Sequence, residues 1–185
     1  RFKAIPYSIT MKSNPSGAGT PAATPNPAYV GQTVTLSAKP NDCYNFGSWL
    51  SPSNVSITNN QFVMPPNDIT ITASYAIRTY AITASITKTG NSPLTPGTVE
   101  GTRTYNCGDT AVLTASPNAG FSFVGWYEGG VLKSTNTTYS FTVDSKRTLE
   151  ARFKAIPYSI TMKSNPSGAG SPVATPQYAA VGETV

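Results

Sequence analysis

GQTVTLSAKPNDCYNFGSW, running from Gly31 to Trp49, decides the fold once it is set against GDTAVLTASPNAGFSFVGW, from Gly108 to Trp126. The two stretches align without a gap. In the first, Val34, Leu36 and Ala38 alternate with Thr35 and Ser37; in the second, Ala111, Leu113 and Ala115 hold the same places. An apolar period of two marks a strand buried on one face. Lys39-Pro40-Asn41-Asp42 ends the run with turn chemistry, and an aromatic segment follows. Phe46 and Trp49, like Phe123 and Trp126, break the alternation by standing three apart. With Gly47 or Gly125 between them, the spacing predicts a bulge that returns each Trp to the core.

Working outward, YSITMKS at Tyr7 matches YAITASI at Tyr80, and ITASYAI at Ile71 matches LEARFKAI at Leu149. The chain therefore holds two diverged modules of about 70 residues, A over 7–79 and B over 80–157. A longer repeat encloses them. RFKAIPYSITMKSNPSGAG at Arg1 returns letter for letter at Arg152, and AYVGQTV at Ala28 is answered by AAVGETV at Ala179. Self-similarity at a fixed period is the mark of a tandem array. On this reading residues 1–6 are the last strand of a preceding module and 158–185 the first part of a following A. The expectation is a window on a longer polymer.

Other runs keep the same rhythm. Tyr7, Ile9 and Met11 alternate with polar neighbours, and Ile71, Ala73 and Tyr75 correspond to Leu149, Ala151 and Phe153. Asn14-Pro15-Ser16-Gly17, Pro65-Pro66-Asn67-Asp68 and Glu128-Gly129-Gly130 supply turns between them. No stretch carries a helical period. The predicted fold is all-β, a tandem array of small modules with five or six short strands each. Trp49, Trp126, Phe46, Phe123, Leu36, Leu113, Tyr75 and Phe153 are its expected core. A module this small leans on each large side chain, so a core role outweighs a sugar-stacking role for the two Trp residues.

The ordered residues Gly31, Val34, Leu36, Ala38, Pro40, Tyr44, Phe46, Trp49, Phe62, Met64, Pro65, Asn67, Asp68, Ile71, Ala73 and Tyr75 resemble the divergent internalin-type B-repeat, the Listeria–Bacteroides repeat family. Module B keeps Gly108, Leu113, Ala115, Pro117, Phe121, Phe123, Trp126, Phe141, Leu149, Ala151 and Phe153. It departs at Ala111 and over residues 142–145. The resemblance implies bacterial extracellular or cell-surface proteins in which such modules recur as stalks and spacers. It also implies a β-grasp-derived fold, and it brings no catalytic residues.

Searched directly, the sequence offers little chemistry. There is no histidine, so the commonest general base and metal ligand is missing. The eight acidic residues are scattered, mostly in turns, without the spacing of a glycosidase pair or a calcium loop. No catalytic residue, cofactor or metal is expected. The net charge of +5 is spread thinly, which is not a nucleic-acid signature. No apolar run is long enough to span a bilayer. Cys43 and Cys107 each lack a counterpart in the sister module, which excludes a repeated bridge within a module. They are candidates for a disulfide between modules or between chains in an oxidising compartment.

The expected function is structural: a non-enzymatic stalk or filament shaft outside a bacterial cell. Its expected partners are neighbouring copies of the same repeat, in cis or in trans as a fibre. Short connections at residues 76–79 and 155–157, the second stiffened by Pro157, favour a semi-rigid rod. The alternative is a glycan-binding adhesin that uses exposed aromatics such as Tyr29, Tyr127 or Tyr139. An adhesin needs such rings clustered on one face, whereas a spacer needs none.

Overall fold

The computed structural model describes residues 3–165 and 167–184. Arg1 and Phe2, which the sequence assigns to the last strand of a preceding module, lie outside the described residues, as do Pro166 and Val185. The chain divides into two compact units, Arg1–Arg78 and Thr79–Val185. Every regular element among the described residues is a strand.

In unit 1 the strands are β1 (Pro6–Tyr7), β2 (Ile9–Asn14), β3 (Gly19–Thr24), β4 (Ala28–Tyr29), β5 (Thr33–Pro40), β6 (Tyr44–Leu50), β7 (Gln61–Val63) and β8 (Ile69–Ile77). Six of them form two three-stranded sheets, ordered β2-β8-β6 and β3-β5-β7, and β1 pairs with β4. Ile9, Ile69 and Ile71 from the first sheet meet Val34, Leu36 and Phe62 from the second in one buried cluster. Alternation explains the arrangement, because every second residue of β5, and of β8 as far as Tyr75, is apolar and turns inward. The product is a small sandwich, with no helix across either sheet among the described residues.

Unit 2 repeats the frame and extends it. Its strands are β9 (Thr79–Thr89), β10 (Gly97–Glu100), β11 (Arg103–Asn106), β12 (Thr110–Pro117), β13 (Phe121–Glu128), β14 (Val131–Ser134), β15 (Thr138–Thr142) and β16 (Arg147–Ala155). The sheet order β10-β12-β15 matches β3-β5-β7 of unit 1. The other sheet, β11-β9-β16-β13-β14, contains the counterpart of β2-β8-β6, with β11, the counterpart of β4, joined at one edge and β14 added at the other. After it come β17 (Pro157–Ser159) and β18 (Tyr178–Ala180), which pair with each other as β1 does with β4.

The predicted bulges are present. Pairing of β6 with β8 shifts register between Phe46 and Ser48, and that of β13 with β16 between Phe123 and Gly125. The skipped residue is Gly47 in unit 1 but Val124 in unit 2, so Gly125 does not make the bulge. Its missing side chain serves the neighbouring hairpin, since a Cβ there would lie 2.6 Å from Leu132 Cδ1 and 2.9 Å from Ser134 O.

One pair of glycines escaped the sequence reading. A Cβ on Gly19 would lie 2.5 Å from the Tyr75 ring, and one on Gly97 would lie 2.8 Å from the Phe153 ring. Each glycine opens the second strand of its frame where the aromatic of the last strand presses against backbone. Both are buried, and their matching places in the two modules were the available signal.

Candidate functional site

Each module begins with the same corner. The first Tyr pairs with the residue ahead of a tight turn: Tyr7 with Ala28, Tyr80 with Tyr105, and Tyr158 with Ala179. The turn itself is built three times. Gln32, Asp109 and Glu183 donate their N–H to the carbonyls of Tyr29, Asn106 and Ala180 at 3.0, 3.1 and 3.0 Å. Their side-chain oxygens in turn accept from the N–H of those same residues, at 3.0, 3.0 and 2.9 Å. The third position is always a glycine of positive φ, +80° at Gly31, +89° at Gly108 and +75° at Gly182, as a type II turn demands. The residue presented at the tip is Val30, Cys107 or Val181. Val30 is 54 % exposed, and Cys107 is buried.

A second turn, ahead of the aromatic strand, recurs in both units. Asn41 N–H donates to Ala18 O at 3.0 Å and Asn118 N–H to Pro96 O at 3.0 Å. Tyr44 and Phe121 then donate back to the carbonyls of Asn41 and Asn118, both at 3.1 Å. Cys43 (φ +72°) and Gly120 (φ +82°) occupy the left-handed position before that strand. Their carbonyls accept from Arg78 N–H at 2.7 Å and Ile156 N–H at 2.8 Å.

Within unit 2 the two kinds of turn meet. The Val181 side chain covers Gly120 so closely that a Cβ on the glycine would lie 2.6 Å from Val181 Cβ. Ser92, a buried polar side chain, donates its Oγ–H to Val181 O at 2.6 Å. Gly182 lies against Leu94. Both cysteines are disulfide-bonded.

Among the residues expected to form the core, Trp126 and Phe153 are fully buried, as are Leu36, Leu113 and Tyr75 within a few per cent. Trp49, Phe46 and Phe123 are half-buried. Trp126 Nε1–H donates to Thr137 O at 3.2 Å, whereas Trp49 Nε1–H donates to the exposed Asn60 Oδ1 at 2.8 Å. The Tyr75 hydroxyl is buried with no hydrogen-bond partner among the described residues, and burial pushes its pKa up.

The aromatics considered for sugar stacking are dispersed. Tyr29 is 49 % exposed at the turn of unit 1. In unit 2, Tyr127 stands on β13 with the Arg152 guanidinium 3.9 Å over its ring. Tyr139 stands on β15, in the other sheet, packed against Phe141 at 5.2 Å between ring centres. Arg147 lies 4.0 Å over the Phe141 ring and bonds Glu128 through both carboxylate oxygens, at 2.9 and 2.7 Å. That fork holds the Glu128 carboxyl below its ordinary pKa and raises that of Arg147. Arg152 does the same to Glu150, with help from the Thr87 hydroxyl at 2.7 Å.

No group of three Cys, Asp or Glu side chains that could hold a metal converges among the described residues. No helix among them is long and apolar enough to cross a membrane. A broad, open depression over Thr33, Ser56, Thr58, Gln61 and Phe62 has no convergent charged groups.

Fold and surface thus define a tandem pair of small all-β repeat modules. The chain belongs to the divergent InlB B-repeat domain family, whose profile it matches over residues 7–79 and again over 86–157. The family is one associated with bacterial surface proteins. No curated protein and no solved structure matches the chain.

Proposed function

We propose that this segment is a structural, non-enzymatic shaft or stalk module of a bacterial extracellular protein, and that it carries tension along its own chain. One observation supports this most: the first and last strands of each frame lie side by side and parallel. Ile9–Asn14 of β2 pairs with Ile69–Ser74 of β8, and Ile82–Thr89 of β9 pairs with Arg147–Lys154 of β16. Parallel terminal strands receive the chain at one end of the unit and release it at the other. A pull on the two ends then loads all the inter-strand hydrogen bonds of that ladder together, in shear, instead of opening them one by one. Connections are minimal, with Arg78 alone between β8 and β9 and Ile156 alone between β16 and β17. Engagement of both cysteines in disulfide fits an oxidising, extracellular setting.

The adhesin reading has less support. Tyr127 and Tyr139 stand in different sheets of unit 2, and each has a cation or a ring against it. Electron microscopy of the native surface material, with mass measured before and after reduction, tests the proposal. Uniform shafts with an axial repeat of two modules are the expected result. Discrete monomers that bind particular glycans on an array would replace the shaft with an adhesin.

A further inference from the structure

We propose that the open edge of β6 in module A is a pairing surface for the β6 of a second copy of this chain, the two strands lying antiparallel about a two-fold axis near Leu50. Strand edges carry unpaired N–H and C=O groups, and proteins usually close them. The other edges of unit 1 are closed. On β2, Ile9 N–H donates to Asn26 Oδ1 at 3.0 Å and Ile9 O accepts from Asn26 Nδ2 at 2.7 Å, so one carboxamide takes both backbone groups. β3 carries Pro21, which has no N–H to offer. β7 is three residues long and is soon followed by Pro65-Pro66.

β6 has neither proline nor charge, and among the described residues no strand lies beyond it. Its bulge at Gly47 is upstream of the part in question, Trp49 to Ser51. In unit 2 the matching part, Trp126 to Glu128, is the stretch on which β14 pairs antiparallel. Unit 1 supplies no such strand. Ser51 Oγ–H donates to Val55 O at 2.7 Å and Val55 N–H to Pro52 O at 3.0 Å, so the chain folds on itself instead of returning along β6. Trp49 is left half-buried and Leu50 is 52 % exposed.

The occupant follows from charge. A two-fold axis sets the residues beside it against their own copies, which a charged edge resists. From Cys43 to Asn67 the sequence holds no charged residue, so this edge can face itself. Asp42 and Arg78 flank the start of β6, and antiparallel pairing sends the two copies of each to opposite ends. By contrast, the edge strands of the matching sheet in unit 2 carry Arg103 on β11 and Lys133 on β14. Each contact is small, so single chains pair weakly. In an array of this sequence every A module presents one such edge, and the contacts sum. The surface goes beyond the shaft reading and does not depend on it.

The test is disulfide trapping on the whole chain, with Leu50→Cys as the only added thiol and glutathione disulfide as the oxidant. Residues opposite each other on antiparallel strands stand about 4.5–5.5 Å apart at Cα, within reach of a disulfide. The expected product is a covalent dimer bridged from 50 to 50 in the peptide map. It should form several-fold faster than the dimer of Val63→Cys, a position 62 % exposed on β7 of the same unit. Concentrating the unaltered chain should also shield Trp49 from acrylamide quenching while the buried Trp126 stays constant, and Leu50→Lys should abolish that shielding. Equal trapping at 50 and 63, or quenching that ignores both concentration and Leu50→Lys, would overturn the pairing. So would preferential bridging of Leu50→Cys to Val131→Cys in a mixture of the two chains, which would make β14 the partner. Discrete monomers by microscopy of the native material, with 50-to-50 trapping intact, would remove the shaft and leave this surface standing.

Discussion

Units 1 and 2 share a six-strand frame and a Trp at the same position, yet they enclose that Trp differently. Trp126 is fully buried in a single cluster that runs from Ile82 and Tyr105 through Leu113 to Phe153. Trp49 is half-buried and lies between two smaller clusters, one around Ile71 and one around Tyr75. After its Trp, unit 2 turns at Gly129-Gly130 into β14, which pairs back on β13, and Arg147 ties the start of β16 to Glu128 of β13. After its own Trp, unit 1 leaves the sheet at Leu50 and runs irregularly, with Val55 buried in the core and Ile57 packed against it. Duplication kept the inward-facing pattern, and the edge elements then set how well each copy seals.

The largest break in this comparison should come from removing the Trp. Trp126→Ala empties a fully enclosed site and should destabilise unit 2 by about 3–5 kcal/mol, while Trp49→Ala, at a site already open to solvent, should cost unit 1 about 2 kcal/mol. Urea unfolding of the full chain followed by far-UV circular dichroism reads both, and equal losses would mean the two cores seal alike. Next come the strand glycines. Gly125→Ala pushes a methyl into Leu132 and the Ser134 carbonyl and should cost about 1–3 kcal/mol. Gly47→Ala meets only Ser74 O, at 3.3 Å, and should cost about 0.5 kcal/mol. The same unfolding curves measure them; a Gly47 variant as damaging as the Gly125 variant would remove the hairpin from the explanation.

A smaller effect, about 1 kcal/mol, is expected for Arg147→Ala, which strips a two-pronged ion pair and a cation over Phe141 from unit 2. The ion pairs among the described residues all fall in unit 2. Smallest is the pH dependence. The Glu128 carboxyl is held below its ordinary value of 4.5, so its contribution is present above that value and is lost as pH falls through the lowered folded pKa. Acid should therefore weaken unit 2 slightly more than the Arg147→Ala protein, and thermal melts between neutral and acid pH would show it. Parallel loss in both proteins would separate the acid effect from this pair.

Much of the frame was legible because apolar alternation leaves a mark at every second residue, in Val34 and Leu36 as in Ala111 and Leu113. The bulge was legible too, from the three-residue spacing of Phe46 and Trp49. Its pivot in unit 2 was not, because Val124 takes the skipped place and the nearby Gly125 answers to a strand across the hairpin. Parallel pairing of first and last strands was also hidden. It joins residues 60 or more positions apart, and periodicity within a strand says nothing about its neighbour. Gly19 and Gly97 were missed for a similar reason, since the rings that need their space come from the far end of each module.

Single-molecule force spectroscopy on the full chain with its cysteines reduced, so that the load passes through β8 and β9, pulled from its two ends, tests the mechanical account most directly. Two separate unfolding events at high, shear-type forces are expected. The later one should belong to unit 2, whose parallel ladder runs from Arg147 to Lys154 against the shorter Ile69 to Ser74 ladder of unit 1. Trp126→Ala should lower the force of that event alone. Unfolding of both units at the low forces of a strand peeled bond by bond would contradict the claim that these modules are built to bear tension.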